Sequence, residues 1–360
     1  MKEMINFTVG PVQSSDYIRK IGSEQVPYFR TQEFSEVMLE NERLMKKFIY
    51  ASDKDKVVFI TGSGTASMES TIANTLTSND KALVVNGGSF GHRFVELLSL
   101  YEIPYDEIKL DYGKKLTQEI LNLYNPKDYT VFLVNLHETS TGVLYDLDLI
   151  TSFCSKNNIF LIVDAISSFL ADEIYFEKNK IDVLITGSQK ALACPPGVSI
   201  IVLSFNAQNR INNNDIKCMY LNLKLALENM KRGQTPFTPA VGILRQINAR
   251  LKEIDKNGGV MHEIDKIKHF AEYFRNKIKE LPFELVSEHP SNAVTCIHPK
   301  TANAYDIFLE LKNNYNIWVC PNGGDMKDKF FRVGHIGDLT INDYDILIKA
   351  FYELKKKNII

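Results

Sequence analysis

Very little in this sequence would stiffen the chain covalently. Its 360 residues include five cysteines, Cys154, Cys194, Cys218, Cys296 and Cys320, an odd number at wide spacing with no Cys-x-x-Cys pair. A disulfide framework and a structural zinc site are both poor explanations of such a set. Charge of one sign is also lacking, since 42 Lys and Arg face 44 Asp and Glu for a net of −2. Proteins that coat nucleic acid need a basic surplus. No apolar run approaches the roughly 18 residues of a membrane span. The opening Met1-Lys2-Glu3-Met4-Ile5-Asn6 has no uninterrupted apolar core of the signal-peptide kind. With 44% hydrophobic and 24% charged residues, usage is that of an ordinary globular protein. The expectation is a soluble, cytoplasmic chain with no metal, membrane or nucleic-acid partner, in about two domains at ~100–200 residues each.

What is present is a repeated pattern of short apolar runs, each ending in small or polar residues. Lys56-Val57-Val58-Phe59-Ile60 leads into Thr61-Gly62-Ser63-Gly64-Thr65, and Ala82-Leu83-Val84-Val85 into Asn86-Gly87-Gly88-Ser89. Thr130-Val131-Phe132-Leu133-Val134 precedes His137-Glu138-Thr139-Ser140-Thr141-Gly142, Ile159-Phe160-Leu161-Ile162-Val163 ends at Asp164, and Val183-Leu184-Ile185 ends at Thr186-Gly187-Ser188-Gln189-Lys190. A further run spans 198–203. Runs of this length, rich in β-branched residues, predict strands buried on both faces. The segments between them are long enough for crossover helices, residues 146–156 for example. Alternation of this kind predicts an α/β domain with a mainly parallel sheet, whose ligands sit outside the carboxyl ends of the strands. From about residue 238 the texture changes to helical spacing at 241–255 and 263–281, short strands near 283–286, 293–297, 317–320 and 330–333, and helices at 304–313 and 342–356. The division expected is a large domain over 1–250 and a smaller α+β domain over 251–360.

Several residues at the strand ends could carry chemistry. Ser63, Gly64 and Thr65 open a helix, where backbone N–H groups and the helix dipole favour an anion; a plain strand–helix turn accounts for them equally well. Asp164 closes a very apolar strand, where a carboxylate needs a cationic or hydrogen-bonding partner, or caps a following helix. Lys190 stands at another strand end, where desolvation could leave a neutral amine nucleophile; a surface lysine is the plainer alternative. Phe90 could stack on a planar ligand or simply fill core. Arg332, in Phe331-Arg332-Val333-Gly334, suits a carboxylate or an internal ion pair. Taken together, an anion cradle, a stacking aromatic, a strand-end Asp, a strand-end Lys and a distant Arg describe a site for pyridoxal phosphate.

At these residues the sequence resembles the class V aminotransferases of the fold-type I pyridoxal-phosphate enzymes, in the branch of alanine–glyoxylate, serine–glyoxylate and 2-aminoethylphosphonate–pyruvate transaminases. The resemblance runs from Phe7-Thr8-Val9-Gly10-Pro11-Val12 through Phe29-Arg30-Thr31-Gln32-Glu33-Phe34 and the motifs above to Phe331-Arg332-Val333-Gly334. It implies that Lys190 bears the cofactor as a Schiff base and moves the proton between the substrate's α-carbon and the cofactor. It implies that Asp164 keeps the pyridine nitrogen protonated and that Ser63, Gly64, Thr65 and Gln189 bind phosphate. Phe90 would stack on the ring, where relatives often have Trp or Tyr, and Thr139 would donate to the ring phenolate oxygen. Arg332 would grip the substrate carboxylate. Gln234-Thr235-Pro236-Phe237-Thr238-Pro239 is similar to a stretch that reaches the neighbouring subunit's phosphate, through Thr235 or Thr238, which implies a homodimer with shared sites.

The implied activity is transfer of an amino group from an alanine- or serine-like donor to a 2-oxo acid such as pyruvate or glyoxylate, with 2-aminoethylphosphonate–pyruvate transamination as the alternative. A non-catalytic binding module is a further rival, set against the intact Lys190 and Asp164. So is a cysteine desulfurase-like lyase. Desulfurases place His before the lysine and Gln soon after the aspartate, where this chain has Gln189 and Ser167. Cys320 is read as core packing, because its neighbours Ile317-Trp318-Val319 are strand-like. One departure is that Asn86-Gly87-Gly88-Ser89-Phe90 holds one more residue before the aromatic than many relatives.

Overall fold

The computed structural model describes residues 4–360; residues 1–3, which open the segment tested above for a signal peptide, lie outside it. In chain order the strands are β1 (Ile5–Phe7), β2 (Lys56–Thr61), β3 (Ala82–Asn86), β4 (Tyr105–Lys109), β5 (Val131–Asn135), β6 (His137–Glu138) and β7 (Val143–Leu144). They continue with β8 (Phe160–Asp164), β9 (Val183–Gly187), β10 (Val198–Leu203), β11 (Phe283–Leu285), β12 (Val294–Pro299), β13 (Ile317–Pro321) and β14 (Phe331–Gly334). The large sheet has the order β2-β10-β9-β8-β5-β3-β4. Its β9-β8-β5-β3-β4 part is parallel, and β10 runs antiparallel to both neighbours. Every residue of β5, β8 and β9 is buried, which is why those runs are apolar without alternation.

The helices fall close to their expected spans. Val241–Lys256 and Gly259–Lys277 are separated by Gly258 at φ +105°, a left-handed turn that glycine adopts without strain. The helix Leu147–Lys156 starts where the Asp146 side chain accepts from the Leu149 N–H at 3.0 Å, an ordinary cap. After Asp164 the outcome differs from a helix cap. Residues 166–171 are turns, and the carboxylate accepts instead from the Ile166 N–H at 2.8 Å.

A second sheet, β1-β13-β14-β12-β11, covers its own core of Phe7, Phe274, Phe331, Tyr344 and Phe351. Its first strand is β1, paired parallel to β13 with Ile5 opposite Ile317, although residues 1–250 are expected in the large unit. A three-residue strand carries too short a pattern to show its partner. The long helix Gly259–Lys277 serves both cores, with Val260, Ile264 and Ile267 in the larger and Phe270 and Phe274 in the smaller. The two units are thus packed through a shared helix and through the opening strand. The crevice where they meet, marked by Arg332 of β14 donating to the Thr139 carbonyl, lies at the carboxyl ends of the large sheet.

Candidate active site

Asp164 and Lys190 reach the crevice because β8 and β9 are adjacent and parallel. The register places Asn135 of β5 opposite Asp164 and Asp164 opposite Ile185 of β9. Asp164 is 1% exposed, and its oxygens accept from Asn135 Nδ2 and the Ile166 N–H, each at 2.8 Å. Burial pushes its carboxyl up to about 6, against those two hydrogen bonds and the Lys190 charge.

Lys190 follows β9 in a turn held by the Ala193 N–H on the Lys190 carbonyl at 2.8 Å and by Ser188 Oγ on the Pro195 carbonyl at 2.7 Å. Its Nζ donates to the Val9 carbonyl at 2.6 Å. Burial, then the Arg332 charge, lower its pKa to about 8, while Cys320 and Asp164 act in the opposite sense. A buried amine in that range holds a usable neutral fraction. Gly10, at φ +127°, faces the lysine stem so closely that a Cβ would lie 2.8 Å from Lys190 Cδ. The Gly-Pro opening therefore forms one wall of the lysine's slot.

The strand-to-helix turn expected to cradle phosphate is formed. Ser63 is the N-cap of the helix Gly64–Thr75 and makes no side-chain cap, so the first N–H groups of the helix have no side-chain acceptor there. A Cβ on Gly64 would run into Ile166 Cδ1. Thr65 Oγ1 accepts from Arg93 Nη1 at 3.2 Å, and the same guanidinium sits 5.3 Å from the Phe90 ring centre. Gln189 Oε1 is buried without a partner. Phe90 lies in the first turn of the helix Ser89–Leu100, directly after extended backbone at Gly88.

Thr139 Oγ1 and Ser167 Oγ are 2.7 Å apart, and Ser167 Oγ also donates to the His137 carbonyl at 3.2 Å. For Thr139 to donate to a ligand, Ser167 would turn its single proton from His137 to Thr139. Arg332 comes from the small sheet. Its Nη1 donates to the Thr139 carbonyl at 3.2 Å and its Nη2 to the Pro321 carbonyl at 2.8 Å. Its Nε is buried and unpartnered.

The structure brings together Lys190, Asp164, Thr139 and Arg332, with Ser63, Gly64, Thr65, Phe90 and Gln189 on the same strand-end side. Thr235 and Thr238 are different. Thr235 Oγ1 donates to the Phe237 carbonyl at 2.7 Å and Thr238 is exposed; among the described residues neither hydrogen-bonds to the cradle of its own chain. Arg30 pins their segment, donating to Gln234 Oε1, the Thr235 carbonyl and the Pro236 carbonyl at 2.8–3.1 Å. Cys320 is in a strand as expected but only partly buried, directly opposite Arg332 in the register. It packs against the larger core, in keeping with the expected packing role, and not against the smaller one whose sheet carries it. Asn135, Ser167 and Glu138 went unassigned in the sequence. Only a polar residue closing an apolar strand, in the case of Asn135, could have signalled one of them.

The residues present fit pyridoxal phosphate: uncapped N–H groups for its phosphate, a buried carboxylate for its ring nitrogen, and an amine of lowered basicity for its aldehyde. Fold and site together define a fold-type I aminotransferase. The chain belongs to the aminotransferase class-V family, whose model matches residues 16–325. It is 32% identical to an uncharacterized aminotransferase of Methanocaldococcus jannaschii, over 86% of this chain and 81% of that one. It is 28% identical to the alanine–glyoxylate aminotransferase of Oryctolagus cuniculus, over 96% and 90% of the two chains. Among solved structures, it is similar to the subgroup IV aspartate aminotransferase of Thermus thermophilus at 25% identity, with a TM-score of 0.88 over 98% of this chain and 99% of that one.

Proposed function

We propose that this aminotransferase uses pyridoxal phosphate on Lys190 and moves an amino group from a small donor such as alanine or serine to pyruvate or glyoxylate. The observation that carries the proposal is the buried Lys190 amine, held on the Val9 carbonyl, with its pKa lowered to about 8 and within electrostatic range of both Asp164 and Arg332. When bound, the cofactor supplies an electron-withdrawing ring that stabilises the carbanion at the donor's α-carbon. Asp164, buried away from competing water, would hold a proton on the ring nitrogen. Lys190 Nζ would be the base that takes the α-proton from the donor and returns it. Arg332 offers a planar fork to the substrate carboxylate; its two carbonyl contacts hold the guanidinium plane without neutralising its charge, and its Nε is left unpartnered.

The proposal includes a homodimer in which Thr235 or Thr238 of one subunit completes the phosphate site of the other. Around that segment Val26, Tyr28, Met219 and Tyr220 are exposed, and Tyr220 stacks on Phe237 with ring centres 5.4 Å apart. A second copy would cover this apolar surface. The alanine–glyoxylate name of one relative supports the donor and acceptor classes. The test is to load the enzyme with pyridoxal phosphate and mix it in turn with alanine, serine, 2-aminoethylphosphonate and cysteine, following the cofactor's visible absorbance. Bleaching by alanine or serine, reversed by pyruvate or glyoxylate, is expected. Bleaching by the phosphonate alone moves the assignment to phosphonate transamination. Sulfide release that disappears in Cys320→Ala would overturn it in favour of desulfuration.

A further inference from the structure

The helix Ser89–Leu100 begins without a cap of its own. Its N-cap residue is Gly88, which has no side chain to offer, although the first N–H groups of any helix need acceptors. The acceptor comes from the next strand connection. Glu138 Oε2 accepts from the Phe90 N–H at 3.1 Å and from the Gly91 N–H at 2.9 Å. Glu138 Oε1 accepts from the Ser140 N–H at 3.1 Å and from Ser140 Oγ, and Ser140 Oγ accepts from the Ser89 N–H at 3.2 Å. There is no slack in this packing, because a Cβ on Gly88 would lie 2.7 Å from Glu138 Cγ and would strike Ser140 Oγ.

Capping alone does not account for a carboxylate here. Glu138 is 1% exposed, and burying an ionised carboxylate is costly even when it is hydrogen-bonded. A serine or asparagine at the N-cap would satisfy the same helix from its own chain. What Glu138 does in addition follows from its neighbours. Thr139 bonds Ser167 through its hydroxyl and receives Arg332 on its carbonyl, and the Ser140 carbonyl accepts from Asn322 Nδ2 at 3.1 Å. Residues 138–140 are therefore joined at once to the helix carrying Phe90, to the turn after Asp164 and to the sheet carrying Arg332.

We propose that Glu138 is the positioning residue of this site: by gripping the start of the Phe90 helix it fixes the stacking ring relative to Thr139, and through residues 139–140 it ties that spacing to Arg332. Glu138 does not itself touch the substrate. The proposal rests on the cofactor reading above. The Glu138 charge also acts on Asp164, raising its pKa as a like charge does.

The experiment titrates the full-length protein, stripped of cofactor, with pyridoxal phosphate. It records both the dissociation constant and the visible circular dichroism of the bound chromophore, a signature of how the ring is held. In Glu138→Gln an NH2 group must face N–H donors at one end of the carboxamide. The far-ultraviolet spectrum is expected to stay native, the affinity to fall roughly fivefold or more, and the visible band to change in sign or size. A smaller loss with an unchanged band overturns the proposal. If Glu138→Gln does not fold, Glu138→Asp decides, because it keeps the charge and withdraws the carboxylate from the Phe90 and Gly91 N–H groups. A changed band then supports the proposal and an unchanged one overturns it. Wild type that takes up no pyridoxal phosphate overturns the cofactor reading and this proposal together; normal uptake by wild type and variants alike, with the same visible band, overturns this proposal alone.

Discussion

Asn135 and Asp164 face each other across adjacent parallel strands, with Asn135 Nδ2 donating to Asp164 Oδ2 at 2.8 Å while Asn135 Oδ1 stays buried and unpartnered. The pair can therefore accept a change at 164 that a lone buried carboxylate could not. In Asp164→Asn, a half-turn of the Asn135 amide would present Oδ1 to the new NH2 group. Asp164 is held at about 6, above its ordinary 3.8, so the folded protein binds its proton more tightly than the unfolded chain. Its contribution to stability is present below about pH 4 and is lost as pH rises through about 6. Asparagine carries no such loss. At pH 7–8 the cofactor-free variant is expected to match wild type or exceed it by about 1–3 kcal/mol, measured by urea unfolding, while losing transamination. A variant that unfolds at neutral pH would contradict the exchange of partners.

Lys190 sets a second expectation, in the rate at which cofactor-free protein takes up pyridoxal phosphate. Only the neutral amine reacts, and its pKa is lowered to about 8 by burial and Arg332. Uptake followed by stopped-flow absorbance should rise with pH through about 8 and then level. An ordinary lysine would keep accelerating to beyond pH 10. Because the pKa is lowered, the unfolded chain binds the extra proton between about 8 and 10.5, so this residue's contribution to stability increases with pH across that window. Arg332→Gln removes the nearby positive charge and should move the kinetic midpoint upward. A midpoint that stays put would show that the two cations are not coupled.

Gly10 offers a third test, remote in sequence from the lysine it touches. Alanine at φ +127° is strained, and its Cβ would lie 2.8 Å from Lys190 Cδ. Gly10→Ala is expected to cost about 1–3 kcal/mol in stability and to slow cofactor uptake, because the lysine stem must shift. Thermal unfolding with unchanged uptake would show that the stem can move aside freely.

The parts of this fold that were legible in sequence are those with a local physical signature. Runs such as 131–134 and 160–163 announce strands buried on two faces, because only a covered sheet tolerates unbroken apolar residues. Lys190 and Asp164 could be found because a charged side chain closing such a run is costly without a purpose. Glu138 sat in plain view within His137-Glu138-Thr139-Ser140, yet nothing local tells a buried cap of a distant helix from a solvated glutamate. Thr235 and Thr238 illustrate the converse. Their motif is readable, but within one chain Thr235 spends its hydroxyl on the Phe237 carbonyl, and completing a partner's site belongs to the proposed dimer.

The sequence by itself determined the class of fold, the sheet that carries the site, and the residue types at the ends of its strands, since each follows from hydropathy period and the cost of burying charge. Only the tertiary structure decided three relationships that no spacing encodes. The opening Gly10 walls the slot of Lys190, Ile5–Phe7 joins the distant small sheet, and the Arg332 guanidinium rests on the carbonyl of Thr139. Each is a contact between segments far apart in the chain. Local propensity has no term for such contacts, and they form only when two separately packed cores dock around the same crevice.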